Sequence, residues 1–431
     1  MTPLIEELIK KSAKDPALEF YLETEKSYHL EFRDSLPYLE EEAEETSLSI
    51  RYINNEGLCG ITYTLNLSYE EIDSSILLAK KLSSFGKSSL YPPFSTSYPE
   101  VLIPPSNLSP KELFPNLLSL AREEIKKFKK ITRIEREALT FTQRQIFLIR
   151  NAKALSTEGY EVAFSLSLVA KGDKKEASSY AFFEGRTINE EIMKGLYERT
   201  CMKAEALAKA EKKPSLKVEV LFPPECALEL LSLLAFSFKG DEVFKGRSFL
   251  KDKLGKKVFS SNLSLVDDGL DPHLLESRPF DDEGLPQEKT LLLDKGVVKS
   301  FVWDYYYGKC SGFNSTGNAR RKDPLSPPQV DFTNLYLLPG EKKKEELLEK
   351  EEVFEVLEIL GAHTADPISG DFSFGVSGIL YKKGEPVDFL SEMALSGNIF
   401  EMLKDVEVGC DLTFFGNLGT PSLLFSKLSL G

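Results

Sequence analysis

Histidine and cysteine are scarce in this chain of 431 residues. The sequence has three histidines, five cysteines and one tryptophan. The cysteines are widely spread and form no Cys-x-x-Cys pair, which is typical of free thiols in a reducing compartment rather than of a disulfide framework. This scarcity argues against a disulfide-stabilised fold and leaves few residues for a metal site or for a hydrolase that uses histidine as its base.

Long apolar runs and an excess of positive charge are also missing. No stretch of about 18 apolar residues is present, and residues 1–7 contain no basic segment ahead of an apolar core. Acidic residues outnumber basic ones by 68 to 54, which gives a formal net charge of -14 at pH 7 and opposes unspecific binding to nucleic acid. The sequence therefore predicts a soluble, cytoplasmic protein with no membrane and no nucleic-acid partner.

Proline marks the main boundaries of the chain. Six prolines between Pro92 and Pro110 predict an extended, Pro/Ser-rich connector over residues 91–110, and a second break lies at Pro214. Beyond it, short alternating runs and turn glycines are typical of β structure. We predict an α+β fold, with a two-lobed N-terminal α/β-like domain over residues 1–214 (lobes about 1–90 and 110–214) and a β-rich, barrel-like C-terminal domain over residues 215–431.

Local signals position individual elements within these domains. Alternation predicts strands over residues 18–22, 48–53 and 61–65. Capping boxes with Ser68 and Thr187 as N-caps predict two helices. The aromatic run at residues 301–307 is interpreted as a strand.

A helix is predicted over residues 225–238, directly after Pro223 and Pro224. Nearly every position from 230 to 238 is apolar, which predicts a core helix without a polar face. If Phe236 is buried in this way, its replacement by alanine costs roughly 3–5 kcal/mol of stability.

The C-terminal half contains several short motifs in a defined order and spacing. These are Asp-Asp-Gly at 267–269, Phe-Asp-Asp-Glu-Gly-Leu-Pro at 280–286, Ser-Thr-Gly-Asn-Ala at 315–319, Gly-Ala-His-Thr-Ala-Asp-Pro-Ile-Ser-Gly-Asp-Phe-Ser at 361–373 and Pro-Ser-Leu-Leu at 421–424. In their order and spacing these motifs resemble the TldD/PmbA family, and within it the PmbA branch, also called TldE.

The same resemblance implies that a metal site is missing. TldD-type members carry a His-Glu-x-x-x-His zinc motif in the matching helix and a cysteine ligand near the C-terminus. Here Leu231, Ser232 and Phe236 replace the motif, and Phe415 lies near the position of the cysteine. Leucine and phenylalanine offer zinc no lone pair. The resemblance therefore implies no catalytic residue and no cofactor in this chain, with zinc expected in a TldD-type partner.

Two functions of different classes remain open. In the first, the chain is the non-catalytic subunit of a TldD–TldE-type heterodimeric metalloprotease that acts on unfolded or leader-bearing peptides. In the second, it is a stand-alone peptide-binding or adaptor protein, a homodimer without hydrolytic activity. In either case we predict that polar, glycine-bearing loops face the substrate or partner, with the candidate residues Thr316, Gly317, Asn318, His363, Asp371 and Ser373.

We expect the isolated chain to contain no stoichiometric zinc, because apolar side chains hold the positions of the metal ligands. Elemental analysis of protein purified without chelators measures this directly. A ratio of about one zinc per chain would contradict the non-catalytic interpretation.

Overall fold

A computed structural model describes residues 2–103 and 109–431 of the chain. Pro104 and Pro105, which belong to the predicted connector, lie outside the described residues. Within these ranges, no helix is both long enough and apolar enough to cross a membrane.

The N-terminal half combines helices with long antiparallel strands. In chain order they are α1 (Thr2–Lys14), β1 (Leu18–Arg33), β2 (Leu36–Ile53), β3 (Cys59–Thr64), α2 (Tyr69–Ser83), α3 (Pro110–Ile125), β4 (Ile131–Arg150), β5 (Lys153–Lys171), β6 (Glu176–Gly185) and α4 (Glu190–Lys209).

These strands form one sheet in the order β3-β2-β1-β4-β5-β6, curved into a half-barrel. Strands β1 and β4 pair along almost their whole length, so the strands of the two predicted lobes are continuous in this sheet. Successive side chains of β1 point to opposite faces. Phe20 and Leu22 pack with residues of α1 and α2, whereas Tyr28 and Leu30 pack with residues of α3 and α4. Helices therefore cover one face of the sheet.

The C-terminal half is richer in strands. In chain order its elements are β7 (Leu216–Phe222), α5 (Pro224–Phe236), α6 (Gly240–Phe244), β8 (Leu265–Asp268), β9 (Lys289–Asp294), β10 (Val297–Val298), α7 (Tyr305–Ser311), β11 (Ala319–Arg320), β12 (Gln329–Val330), β13 (Leu335–Leu337), α8 (Lys344–Leu348), β14 (Val353–Leu360), a 3-10 helix (Ala362–Thr364), β15 (Asp371–Lys382), β16 (Glu385–Asn398), α9 (Ile399–Met402), β17 (Val406–Val408), β18 (Thr413–Phe415), β19 (Leu418–Thr420) and β20 (Leu423–Leu430).

Five of these strands close into a barrel. Strands β16, β15, β14, β7 and β20 are neighbours in that order, and the pairing of Leu395 with Leu430 joins β16 to β20. A second sheet has the order β10-β9-β8-β13-β19-β18. The barrel, the second sheet and α5 share one hydrophobic core. The predicted α+β fold with a barrel-like C-terminal part is confirmed.

The capping predictions had different outcomes. Ser68 caps α2 as predicted, since its hydroxyl accepts a hydrogen bond from the backbone N–H of Glu71. Helix α4 is capped by Asn189 rather than by Thr187, because the Asn189 side chain accepts from the N–H of Ile192 at 2.9 Å. The predicted aromatic strand at 301–307 is wrong: the Asp304 carboxylate accepts from the N–H of Tyr307 at 2.7 Å and begins α7.

A buried ion cluster lies at the junction of the two halves. Glu19 of β1 is directly opposite Arg51 of β2 and Arg150 of β4. All three side chains are at most 1% exposed. Glu19 contacts Arg51 at 2.9 Å and Arg150 at 2.5 Å, and Arg321 of the C-terminal half reaches it at 3.2 Å.

The same cluster also holds the connector in place. Arg150 donates hydrogen bonds to the carbonyl oxygens of Pro92 at 2.6 Å and of Glu283 at 3.2 Å. The Tyr91 hydroxyl donates to the Arg51 carbonyl at 2.8 Å. One charged cluster thereby joins the sheet, the connector and the C-terminal half.

Burial alone raises the pKa of Glu19, but the three guanidinium groups outweigh it and the pKa is lowered from its ordinary value of 4.5. A carboxyl group with a lowered folded-state pKa stabilises the fold above its unfolded pKa. That contribution is lost as the pH falls through the folded-state value. The contribution of this cluster to the stability of the fold should therefore fall only at acidic pH.

We expect Glu19→Gln to destabilise the protein by roughly 3–5 kcal/mol, because it removes the carboxylate that pairs with the buried guanidinium groups of Arg150 and Arg321 and leaves Arg51 only Glu283, at 4.0 Å. Urea denaturation at neutral pH measures the loss. The control is Glu25→Gln, since Glu25 pairs with Arg144 at 2.9 Å but is 41% exposed, and its loss should stay below about 1 kcal/mol. Equal losses for the two variants would contradict a special role for the buried cluster.

Candidate functional site

Helix α5 carries one exposed stripe on an otherwise buried surface. It begins after Pro223 and packs Leu230, Leu231 and Leu234 into the core, each about 1% exposed. Glu229 and Ser232 are exposed and Phe236 is half-buried. Residues three and four positions apart lie on the same side of a helix. The predicted absence of a polar face is therefore wrong, because this side of α5 faces a cleft rather than the core.

The cleft beside this stripe consists of two adjoining cavities, which we call the α5 groove. One has a volume of 420 Å³ and lies toward the start of α5, and the other has a volume of 840 Å³ and lies toward its end. Both are lined by Glu229 and by Ile359 of β14. Ser232, Phe236 and His363 line the larger cavity, whereas Phe415 lines the smaller.

Strand β14 gives the groove an open strand edge. It pairs with β15 from Val353 to Leu360, but with β7 only from Val353 to Glu355. Beyond Glu355, no strand among residues 2–103 and 109–431 pairs with that second side. Residues 357–359 line the smaller cavity and residues 359–360 the larger. An unpaired edge of this kind can bind another extended chain through its backbone.

The opposite wall comes from both halves of the molecule. Tyr180 and Phe182 of β6 and Thr413 of β18 line the smaller cavity. Tyr180 is 67% exposed and Phe182 is 42% exposed. Near the end of β6, the Gly416 N–H donates a hydrogen bond to the Glu184 carbonyl at 3.2 Å. The groove is thus bounded by the N-terminal sheet on one side and by the C-terminal half on the other.

The residues of this groove do not fit a zinc ion. Leu231 is buried and Phe236 carries no donor atom, so of the motif positions only the Ser232 hydroxyl could contact a metal. Burial raises the pKa of the nearby Cys226 thiol, which keeps it protonated. Across the described ranges, no three His, Cys, Asp or Glu residues are grouped so as to hold a metal ion.

The Thr316-Gly317-Asn318 segment does not face the groove. Asn318 is 1% exposed, and its amide donates hydrogen bonds to the Asp267 carboxylate at 2.7 Å and to the Asp331 carbonyl at 3.0 Å. Thr316 donates to the Asn318 side chain at 2.7 Å. A Cβ at Gly317 would lie 2.2 Å from the Pro286 carbonyl oxygen, so its close approach is to its own chain. The prediction that Asn318 and Gly317 face a substrate or partner is wrong, because both are packed inside the C-terminal half.

The other three predicted residues separate into two places. His363 is exposed on the 3-10 helix and lines the larger cavity. Asp371 and Ser373 are exposed on β15 but line neither cavity. They contact β16 instead, where Asp371 accepts from Asn398 at 2.8 Å and Ser373 bonds to Ser396 at 2.9 Å. The structure therefore brings His363 together with Ser232 and Phe236.

The residues that form the walls of the groove, Tyr180, Phe182 and Leu360, were not among the predicted site residues. Tyr180 and Phe182 flank Ala181 in an aromatic run that is typical of an ordinary strand. Leu360 ends an apolar strand and is 56% exposed. An exposed apolar residue next to a strand end is a weak signal, which gains meaning only once the opposite wall is known.

Comparison with known proteins identifies relatives of both halves. Residues 215–431 match the family model described as PmbA/TldA metallopeptidase C-terminal domain. An uncharacterized protein of Methanocaldococcus jannaschii is 30% identical over 316 residues, covering 69% of this chain and 75% of that protein. A protein of Archaeoglobus fulgidus named metalloprotease is 28% identical, covering 68% of this chain and 70% of its own length.

A solved structure has the same fold over the whole chain. The crystal structure of TldE from Thermococcus kodakarensis superposes with a TM-score of 0.90 at 22% sequence identity. The match covers 99% of this chain and 100% of that one.

The position of Phe236 on the groove changes its expected contribution to stability. Phe238 is 0% exposed and packs against Phe301 at a centroid distance of 6.3 Å. We expect Phe238→Ala to cost roughly 3–5 kcal/mol and Phe236→Ala only about 1 kcal/mol, because a half-buried ring loses less contact area. Urea denaturation of both variants measures the difference. Similar losses would mean that Phe236 belongs to the core after all.

Proposed function

Because the chain belongs to the PmbA/TldD family of metallopeptidases, we propose that it is the non-catalytic subunit of a two-chain peptidase. A TldD-type subunit is the proposed partner, and unfolded or leader-bearing peptides are the proposed substrates. In such a pair the partner's zinc supplies the Lewis acid and the activated water. The residues of this chain bind and orient the peptide.

The observation that carries this proposal is the open edge of β14 beside the exposed stripe of α5. Main-chain hydrogen bonds to a strand edge hold an extended chain regardless of its sequence, and side-chain pockets add preference. Residues 357–360 offer that edge, and Ser232 and Phe236 bound the space above it. An unfolded peptide fits this arrangement because its backbone groups are free to pair.

The charged residues that line the smaller cavity support binding of peptides of either charge rather than selection of one charge. It is lined by residues of both signs, including Glu225 and Glu229 on α5 and Arg199 and Lys203 on α4. A wall of mixed charge neither repels nor strongly favours one class of charged peptide.

A cytoplasmic location is part of the proposal. The five cysteines are free thiols, and Cys310 and Cys410 are exposed. Exposed free thiols persist in a reducing compartment. The alternative, a stand-alone peptide-binding or adaptor protein that acts as a homodimer, differs in that it binds peptides and needs no partner.

We expect the purified chain to leave an unfolded reporter peptide intact, and the chain mixed with a TldD-type subunit from the same genome to cleave it. Cleavage is followed by release of a fluorophore, and assembly by size-exclusion chromatography. Equal activity of the partner with and without this chain would contradict the proposed role.

A matched pair of variants tests the groove itself. Ser232→Trp places a large side chain on the exposed stripe of α5 and should reduce cleavage at least tenfold, because it obstructs the peptide without disturbing the core. Ser74→Trp is the control, since Ser74 is also exposed, on helix α2 of the N-terminal half. If Ser232→Trp assembles and cleaves at the wild-type rate, the peptide does not lie in the α5 groove.

A further inference from the structure

Most of the residues that line the larger cavity of the α5 groove are apolar. Its walls include Phe236 of α5, Phe332, Leu360 of β14, Ala362 and Leu418 of β19. Leu360 is 56% exposed and Phe236 is half-buried. Apolar surface that faces water in a concave site gains free energy when an apolar ligand covers it.

Three of the polar residues that line this cavity, Lys239, Asp331 and Asn417, already have partners. The Lys239 ammonium pairs with the Asp331 carboxylate at 2.8 Å, and it also lies 5.6 Å from the centre of the Phe332 ring. The Asn417 amide donates to the Thr333 carbonyl at 2.9 Å. A charged side chain entering the cavity would have to compete with these contacts, whereas an apolar one would not.

The cavity lies at the end of the open strand edge. Leu360 is the last residue of β14, and Ile359 before it lines both cavities. A peptide paired with residues 357–360 sends alternate side chains to opposite faces. One of those faces is the side on which Phe236 and Leu360 leave an unfilled volume of 840 Å³.

We propose that this cavity is a specificity pocket for one bulky apolar side chain, such as phenylalanine or leucine, of the bound peptide. This inference rests on the proposed function, because it requires a peptide backbone along β14. Phe236 and Leu360 both line the cavity, so it presents apolar walls to a peptide side chain.

The preference is measured with a polar, unfolded host peptide that carries one guest residue. Fluorescence anisotropy of the labelled peptide gives its affinity for the chain alone and for the chain with its TldD-type partner. A phenylalanine guest should bind roughly tenfold more tightly than alanine, and aspartate no better than alanine, because burial of a large apolar side chain drives the difference. Equal affinity for phenylalanine and alanine would overturn the specificity pocket but leave the proposed function intact. Absence of binding by all guests in both preparations would overturn both.

Two exposed aliphatic residues, Leu360 and Val387, provide the matched variants. Leu360→Glu should abolish the preference for the phenylalanine guest over the alanine guest. Val387→Glu is the control, because Val387 is 49% exposed on β16 and lines neither cavity. Phe236→Ser should reproduce the effect of Leu360→Glu from the opposite wall. Retention of the full preference in both Leu360→Glu and Phe236→Ser would show that the side chain binds elsewhere.

Discussion

The attraction between Glu19 and three arginines fixes both the register of the N-terminal sheet and its attachment to the C-terminal half. Glu19 lies opposite Arg51 and Arg150 only in the observed pairing, and a slip of one residue would turn it to the face that the helices cover. Arg321 then approaches the same carboxylate from the C-terminal half. A buried carboxylate without these partners would be costly, so strand register and domain attachment stabilise one another.

Sequence patterns predicted the parts of this fold that depend on near neighbours. Ser68 and the alternation in β1 depend on residues a few positions apart, and both were recognised. The run at 301–307 was misread because the Asp304 cap begins a helix in spite of the aromatic residues that follow it. The cleft side of α5 was missed for a different reason. The apolar run at 230–238 conceals a polar stripe, because Glu225, Glu229 and Ser232 are spaced four and three residues apart and so lie on one side of the helix.

The candidate site depends on the most distant contacts of all. Tyr180 belongs to the N-terminal sheet and Phe415 to the last part of the chain, yet both line one cavity. No spacing along the sequence connects them. The loops that the sequence favoured, by contrast, contain polar residues such as Asn318 that hold the C-terminal half together from within. Polar residues and glycines in a loop indicate backbone constraint as readily as they indicate binding.

The groove lies between two parts of the molecule. Strand β6 belongs to the curved N-terminal sheet, whereas α5 and β14 belong to the C-terminal half. Beside the groove they are joined by the hydrogen bond from the Gly416 N–H to the Glu184 carbonyl. A ligand that touches both walls resists their separation, and by thermodynamic linkage any strengthening of the junction tightens the hold on the ligand. The stability of the junction between the two walls and the affinity for any ligand that spans them therefore share one coupling free energy.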